Sequence, residues 1–147
     1  MKKNLFLIKI FVISLFLISK GITKQPSYFD MGMQLFEKQE FNKSKILFER
    51  DLVFNPKNEK SYLYLAKIFK TNKNDEEEEI NLNSVLLLNP KNDEALYMLI
   101  LLKIKQSDYT QSKDLINQFV LVCKFFCSKK NEIQNKLKKL NPENAQN

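Results

Sequence analysis

Apolar residues along most of the chain recur every three or four positions, the spacing that places them on one face of a helix. In one such segment Ser44, Phe48 and Leu52 stand at i, i+4 and i+8, and charged residues fill most of the positions between them. Only two glycines and four prolines occur in the 147 residues. Because a protein built from many short strands needs frequent turn residues, this pattern predicts an all-α fold.

The helical pattern repeats at a fixed interval along the chain. The tetrapeptide Asn55–Asn58 recurs as Asn89–Asn92, and each copy contains a proline that ends the predicted helix before it. Upstream of both copies stand an aromatic residue, a small residue four positions later and a large apolar residue three positions after that. The aligned pairs are Tyr28 with Tyr62, Gly32 with Ala66, and Leu35 with Phe69. The interval predicts three helical hairpins, at residues 25–58, 59–92 and 93–126.

Segment 41–56 resembles the second helix and closing proline of the tetratricopeptide repeat (TPR) family. Gly32 and Ala66 stand where that family keeps a small residue, which lets two helices approach closely. The resemblance implies a short right-handed solenoid of about three TPR hairpins within residues 22–126. It is specific for the fold and names no partner, since this scaffold serves many partners.

The third unit departs from the repeat pattern. Ile100 replaces the small residue, and Lys124 stands where the closing proline would be. We therefore expect the second helix of this unit to run on past Val122, and residues 127–147 to supply a C-terminal capping helix and tail. In the first unit Asp51 replaces an expected small residue, which predicts looser packing there.

Residues 1–21 have the pattern of an export signal. A basic start precedes an apolar run that is broken at Lys9 and ends at Ser19, and its longest uncharged stretch is about ten residues. A membrane span needs about 20 residues, so the pattern favours a signal peptide cleaved after Gly21 or Thr23. The alternative is an uncleaved N-terminal anchor in the inner membrane, with Lys9 reaching the headgroups. Either interpretation places the working part outside the cytoplasm, in a bacterial periplasm.

The net charge of +7 is concentrated at the N-terminus, where residues 1–21 contain four lysines and no acid. Without those lysines the net charge is +3, and Arg50 is the only arginine in the chain. Arginine is the usual reader of bases and phosphates, so we expect no nucleic-acid partner. The lysine-rich C-terminal helix leaves open a weak contact with an anionic membrane surface.

The residue types argue against catalysis. Histidine is absent, which removes the commonest general base and metal ligand, and we expect no enzyme activity, no cofactor and no metal. The acidic run Asp75–Glu79 is interpreted as a solvent-facing first helical turn. Cys123 and Cys127 stand four apart on a predicted helix, where Cβ atoms lie about 5–6 Å apart against the roughly 3.8 Å of a disulfide. Two small apolar side chains with free thiols are therefore favoured over a bridge.

First helices of TPR hairpins line a concave groove, and on this chain the resemblance assigns ten residues to it. They are Phe29, Met33, Phe36, Leu63, Lys67, Lys70, Tyr97, Leu101, Ile104 and Lys105. Apolar walls with lysines along one side suit an amphipathic helix or an extended peptide that carries carboxylates.

The function predicted on this basis is a non-enzymatic interaction module of the cell envelope that holds a partner protein in the groove. The alternative is a structural accessory subunit of an envelope assembly, held by an uncleaved anchor. Neither the partner's identity nor the oligomeric state follows from the sequence.

Overall fold

The computed structural model describes residues 26–140, which form seven α-helices and no strand. The helices are α1 Tyr28–Glu37, α2 Phe41–Phe54, α3 Glu59–Thr71, α4 Asp75–Leu88, α5 Asp93–Lys105, α6 Tyr109–Val122 and α7 Lys130–Leu140, with a 3₁₀ turn at Cys127–Lys129. Consecutive helices pack in pairs, so the predicted all-α repeat solenoid is confirmed. The predicted export signal lies outside the described residues. No helix within residues 26–140 combines the length and apolar character that a bilayer span requires.

The turn inside each hairpin recurs at the same interval as the sequence pattern. Gln39, Lys73 and Ser107 have φ of 60°, 57° and 60°, the left-handed conformation that ends a helix. After α3, the amide of Lys73 donates to the carbonyl of Lys70 at 3.1 Å, and the amide of Asn74 donates to that of Phe69 at 3.0 Å. The same two bonds form at the equivalent positions of the first and third hairpins. Every hairpin thus satisfies the last carbonyls of its first helix in the same way.

The residues at equivalent positions of the paired helices differ in size from one hairpin to the next. Gly32 packs against Phe48 in the first hairpin. Ala66 and Leu82 share a core cluster in the second hairpin, and Ile100 and Ile116 share one in the third, where neither residue is small. The predicted role of the small residue is confirmed at Gly32, since a Cβ there would lie 2.8 Å from the Phe48 ring.

Asp51 ties the first hairpin to the second. Its carboxylate is buried and accepts hydrogen bonds from Nδ2 of Asn55 at 3.0 Å, Nδ2 of Asn58 at 2.6 Å and Oγ of Ser61 at 2.6 Å. The prediction that Asp51 loosens the packing is wrong, because three polar partners occupy the space around it and satisfy its charge.

The third unit ends differently from its prediction. Helix α6 stops at Val122, the same repeat position as the ends of α2 and α4, although no proline follows. Cys123 is extended, and the carboxylate of Asp93 accepts the backbone N–H groups of Lys124, Phe125 and Phe126 at 2.7, 2.6 and 3.0 Å. A side chain at the start of α5 therefore does what the proline does in the other units.

Cys123 and Cys127 are joined in a disulfide, with Cα atoms 5.2 Å apart. The prediction of free thiols is wrong because it assumed helical spacing. The chain leaves the helix at Cys123, and the turn brings the two side chains together. The bridge closes a short loop from which α7 starts, and α7 packs back on α5 and α6 with Ile133 fully buried.

The first prediction concerns the close contact between α1 and α2 at Gly32. Gly32→Ala should lower the free energy of unfolding by about 1 kcal/mol in urea titrations followed by circular dichroism, because overpacking outweighs the gain in helix propensity. Overpacking typically costs about 1–3 kcal/mol, against the roughly 1 kcal/mol that alanine gains as a helix former. Adding Phe48→Leu recreates the alanine–leucine pair of the second unit and should recover part of the loss. A stabilised single variant would contradict the close contact.

The second prediction concerns Asp93. Burial raises the pKa of its carboxyl, but the backbone donors of Phe126, Lys124 and Phe125 outweigh burial and hold the pKa below the usual value. A lowered folded pKa gives stability that is present above the unfolded pKa of about 3.9 and is lost as the pH falls through the folded pKa. Asp93→Asn should therefore cost about 1.5–3 kcal/mol near pH 7, and the difference from wild type should shrink in strong acid.

The matched control is Asp114→Asn, an exposed aspartate on α6. Its difference from wild type should stay near zero across the same urea titrations at each pH. A pH-independent loss for Asp93→Asn would show that the carboxylate charge contributes nothing to the turn.

Candidate peptide-binding groove

The first helices of the three hairpins together form one surface of the solenoid, which we call the inner face. Side chains link these helices directly: the Phe36 and Tyr64 rings meet edge to face with centroids 5.0 Å apart, and Nζ of Lys67 lies 2.8 Å from the Glu94 carboxylate. These contacts join α1 to α3 and α3 to α5. The inner face is therefore continuous from the first hairpin to the third.

A hollow with aromatic walls opens on the inner face, and we call it the aromatic hollow. Its lining is Phe36, Lys67, Lys70, Thr71, Glu94, Tyr97, Met98 and Phe126. The Phe36 ring is held by Tyr64 and by Phe41, whose centroid is 5.3 Å away. On the opposite wall, the Tyr97 and Phe126 rings lie 5.5 Å apart. Rings braced in this way form a preformed apolar surface.

The two lysines of the aromatic hollow differ in exposure and in whether they form an ion pair. Lys67 is partly buried, forms the ion pair with Glu94, and lies over the Tyr64 ring with Nζ 4.6 Å from the centroid. Lys70 is exposed and forms no ion pair with any carboxylate of residues 26–140, although its charge acts on the Glu78 carboxyl. Lys67 is therefore part of the wall, whereas Lys70 is available to an anionic group.

A second hollow lies on the other side of Lys70, and we call it the charged hollow. Its lining is Lys70, Asp75, Glu78, Leu101, Leu102, Ile104, Lys105 and Lys136. Lys105 pairs with Asp75 at 2.7 Å. The Glu78 side chain is buried, and burial raises the pKa of its carboxyl against the opposing effect of Lys70. The charged hollow thus offers an apolar floor with charges of both signs at its rim.

Helix α7 contacts the inner face at the C-terminal end of the solenoid. The hydroxyl of Tyr97 donates to Oε1 of Glu132 at 3.3 Å, which joins α5 to α7. Lys129 and Lys136 also lie 3.2 and 3.3 Å from the Glu132 carboxylate, and their hydrogen bonds lower its pKa. Glu132 therefore fixes Tyr97 in the wall of the aromatic hollow.

The structure brings seven of the ten predicted groove residues to the two hollows. They are Phe36, Lys67, Lys70, Tyr97, Leu101, Ile104 and Lys105. Leu63 is 7% exposed and belongs to the core between the second and third hairpins, so its assignment to the groove is corrected. Phe29 and Met33 are partly buried against the core between the first and second hairpins and line neither hollow.

Several residues of the hollows were not predicted as groove residues. Phe126 contacts Tyr97 only because the chain turns at Cys123. The sequence indicated this turn only through Val122, which stands at the repeat position where the two earlier second helices end. Lys136 belongs to α7, whose placement on the inner face has no signal in the repeat. Thr71, Glu94 and Met98 lie on first helices, outside the ten residues that the TPR resemblance assigned to the groove.

The acidic run was predicted to face solvent, and for three of its residues this is wrong. Asp75 pairs with Lys105, and Glu79 lies 2.5 Å from Nζ of Lys103. Glu78 is buried beside them. The reason is that the first turn of α4 packs against the basic last turn of α5, so these carboxylates join two hairpins.

Comparison with protein-family models gives no match for this chain. No curated protein matches the sequence either.

Proposed function

We propose that the protein is a non-enzymatic, TPR-like interaction module that binds a short peptide or helix of a partner protein in the aromatic and charged hollows. The observation that carries this proposal is the aromatic hollow with Lys70 at its edge. A preformed apolar cavity beside an available cation suits a peptide with a large apolar side chain and a nearby carboxylate. The charged hollow extends the same path by one further side chain.

The rigid walls of the aromatic hollow support its assignment as a binding site. Each of the three aromatic side chains Phe36, Tyr97 and Phe126 is held by a second ring, and Tyr97 is also held by Glu132. Binding of a peptide therefore costs little conformational entropy in these side chains. Aromatic side chains in such pockets dominate the energetics of many peptide interfaces. The proposed ligand therefore contributes an apolar anchor, and Lys70 selects for negative charge next to it.

The third prediction tests the aromatic hollow. A random peptide library selected on the protein should yield sequences with a large apolar residue and a nearby Asp or Glu. Thr71→Trp, which places a large ring in the hollow and leaves the aromatic residues of its walls unchanged, should weaken the selected peptides about 30-fold, the loss expected for one anchor at about 2 kcal/mol. Lys70→Glu should weaken only the acidic peptides. Fluorescence anisotropy of labelled peptides measures both effects.

The matched control is Asn83→Trp, which places the same side chain at an exposed position of α4. It should leave peptide affinity unchanged. Equal binding by Thr71→Trp and Asn83→Trp would move the binding site away from the aromatic hollow.

We also propose that the protein works outside the cytoplasm, in a bacterial periplasm, after removal of its N-terminal signal. The basic and apolar pattern of residues 1–21 supports this proposal. The fourth prediction follows: intact-mass spectrometry of the protein from its native cells should find a soluble chain that begins at Ile22 or Lys24. Full-length protein confined to the membrane fraction would favour the anchored accessory subunit.

A further inference from the structure

The ends of the second helices carry a row of apolar side chains that are exposed to water and line neither hollow. Val53, Leu87 and Leu121 occupy the same position of successive repeats and are 76%, 84% and 84% exposed. Phe54 and Leu88 follow two of them, and Phe125, which follows α6, is 87% exposed. We call these six residues the outer row. Single exposed leucines are common, but the same exposed position in three consecutive units forms a continuous patch.

Hydrogen bonds tie the segments at the ends of the second helices to neighbouring helices of the same solenoid edge. Nδ2 of Asn89, after α4, donates to the Glu59 carboxylate at the start of α3 at 3.2 Å. Nε2 of Gln118 on α6 donates to the carbonyl of Pro90 at 3.1 Å. The outer row therefore lies along one edge of the solenoid rather than on three independent loops.

An exposed lysine follows the end of each second helix. Lys57, Lys91 and Lys124 are exposed, and no carboxylate within residues 26–140 lies in ion-pair range of them. Three carboxylates of this edge already have partners: Asp51 and Asp93 bind the turns themselves, and Glu59 accepts a hydrogen bond from Asn89. On the opposite edge, where the first helices end, Asp75 and Glu79 of the acidic run pair with lysines of α5. The unpaired charge beside the outer row is therefore positive.

The first described residues of the chain lie at this same edge. The Tyr28 ring stacks on Phe54 with centroids 5.6 Å apart, and Pro26 lines a hollow together with Phe54 and Asn55. The apolar run of the sequence ends at Ser19, and six residues separate it from Pro26. A fully extended chain covers at most about 3.6 Å per residue, so an apolar run that is retained in the protein would end within about 25 Å of this edge.

We infer that the outer row rests on an anionic lipid bilayer, with its apolar side chains in the interface and Lys57, Lys91 and Lys124 at the phosphate groups. Apolar side chains interspersed with lysines are the pattern of interfacial binding, and a lysine near an anionic surface adds electrostatic attraction to it. A second copy fits this edge less well, because a two-fold contact would set one basic row against another. The inference goes beyond peptide binding, since no residue of the outer row lines either hollow.

The chain contains no tryptophan, so single tryptophans can report the depth of chosen positions. Leu87→Trp places the reporter on the outer row, and Thr110→Trp places it at an exposed position on the opposite edge. Each full-length variant is reconstituted into phosphatidylcholine–phosphatidylglycerol vesicles with brominated acyl chains, which quench tryptophan inside the bilayer. Leu87→Trp should lose roughly half of its emission, as expected for a side chain about 5–10 Å deep, and Thr110→Trp should lose almost none.

Charge reversal provides the second comparison. In the Leu87→Trp background, Lys57→Glu, Lys91→Glu and Lys124→Glu together should abolish most of the quenching, although the N-terminal segment is unchanged. Equal quenching of Leu87→Trp and Thr110→Trp would overturn the inference. So would a blue-shifted emission of Leu87→Trp without quenching, because a second copy would then cover the row. Neither result bears on the hollows, which the peptide measurements test separately.

Discussion

Two buried carboxylates hold the turns on which the stacking of the hairpins depends. Asp51 binds Asn55, Asn58 and Ser61, and so ties the end of α2 to the start of α3. Asp93 binds three backbone amides after α6, and so ties the last turn to the start of α5. A buried charge is costly unless it is fully hydrogen-bonded, so each carboxylate specifies one arrangement of its turn. A helical hairpin alone cannot bury its apolar face; the Asp51 turn aligns the first hairpin with the second, and the Asp93 turn aligns the third with α7.

The turn at Asp93 also determines the shape of the candidate groove. Because the chain leaves α6 at Cys123, Phe126 reaches Tyr97 and α7 can pack back over α5. The disulfide between Cys123 and Cys127 closes the loop between the end of α6 and the start of α7. One wall of the aromatic hollow is thus built from the end of the repeat array. An array that continued with a fourth hairpin would lack this wall.

The solenoid presents two surfaces of different chemistry. The inner face offers braced aromatic rings and an available lysine, which suits a peptide, whereas the outer row offers exposed apolar side chains and lysines, which suits a lipid surface. Both surfaces use the same repeat in different ways. The inner hollows differ from unit to unit, and selective binding requires such differences. The outer row is nearly the same in each unit, which is what contact with an extended, uniform surface requires.

The amino-acid sequence by itself determined the helical class and the interval of the repeat, because helix periodicity and helix-ending prolines act over short distances along the chain. The TPR resemblance added the close approach at Gly32 and the ten candidate groove residues, of which seven line the two hollows. Only the tertiary structure decided the burial of Leu63 and Asp51, the end of α6, the disulfide and the place of Phe126. Each of these depends on a partner some distance away in sequence or on a turn that such a partner holds, as Asp93 holds residues 124–126. A pattern read along one segment contains no information about such partners, since packing in three dimensions brings them together.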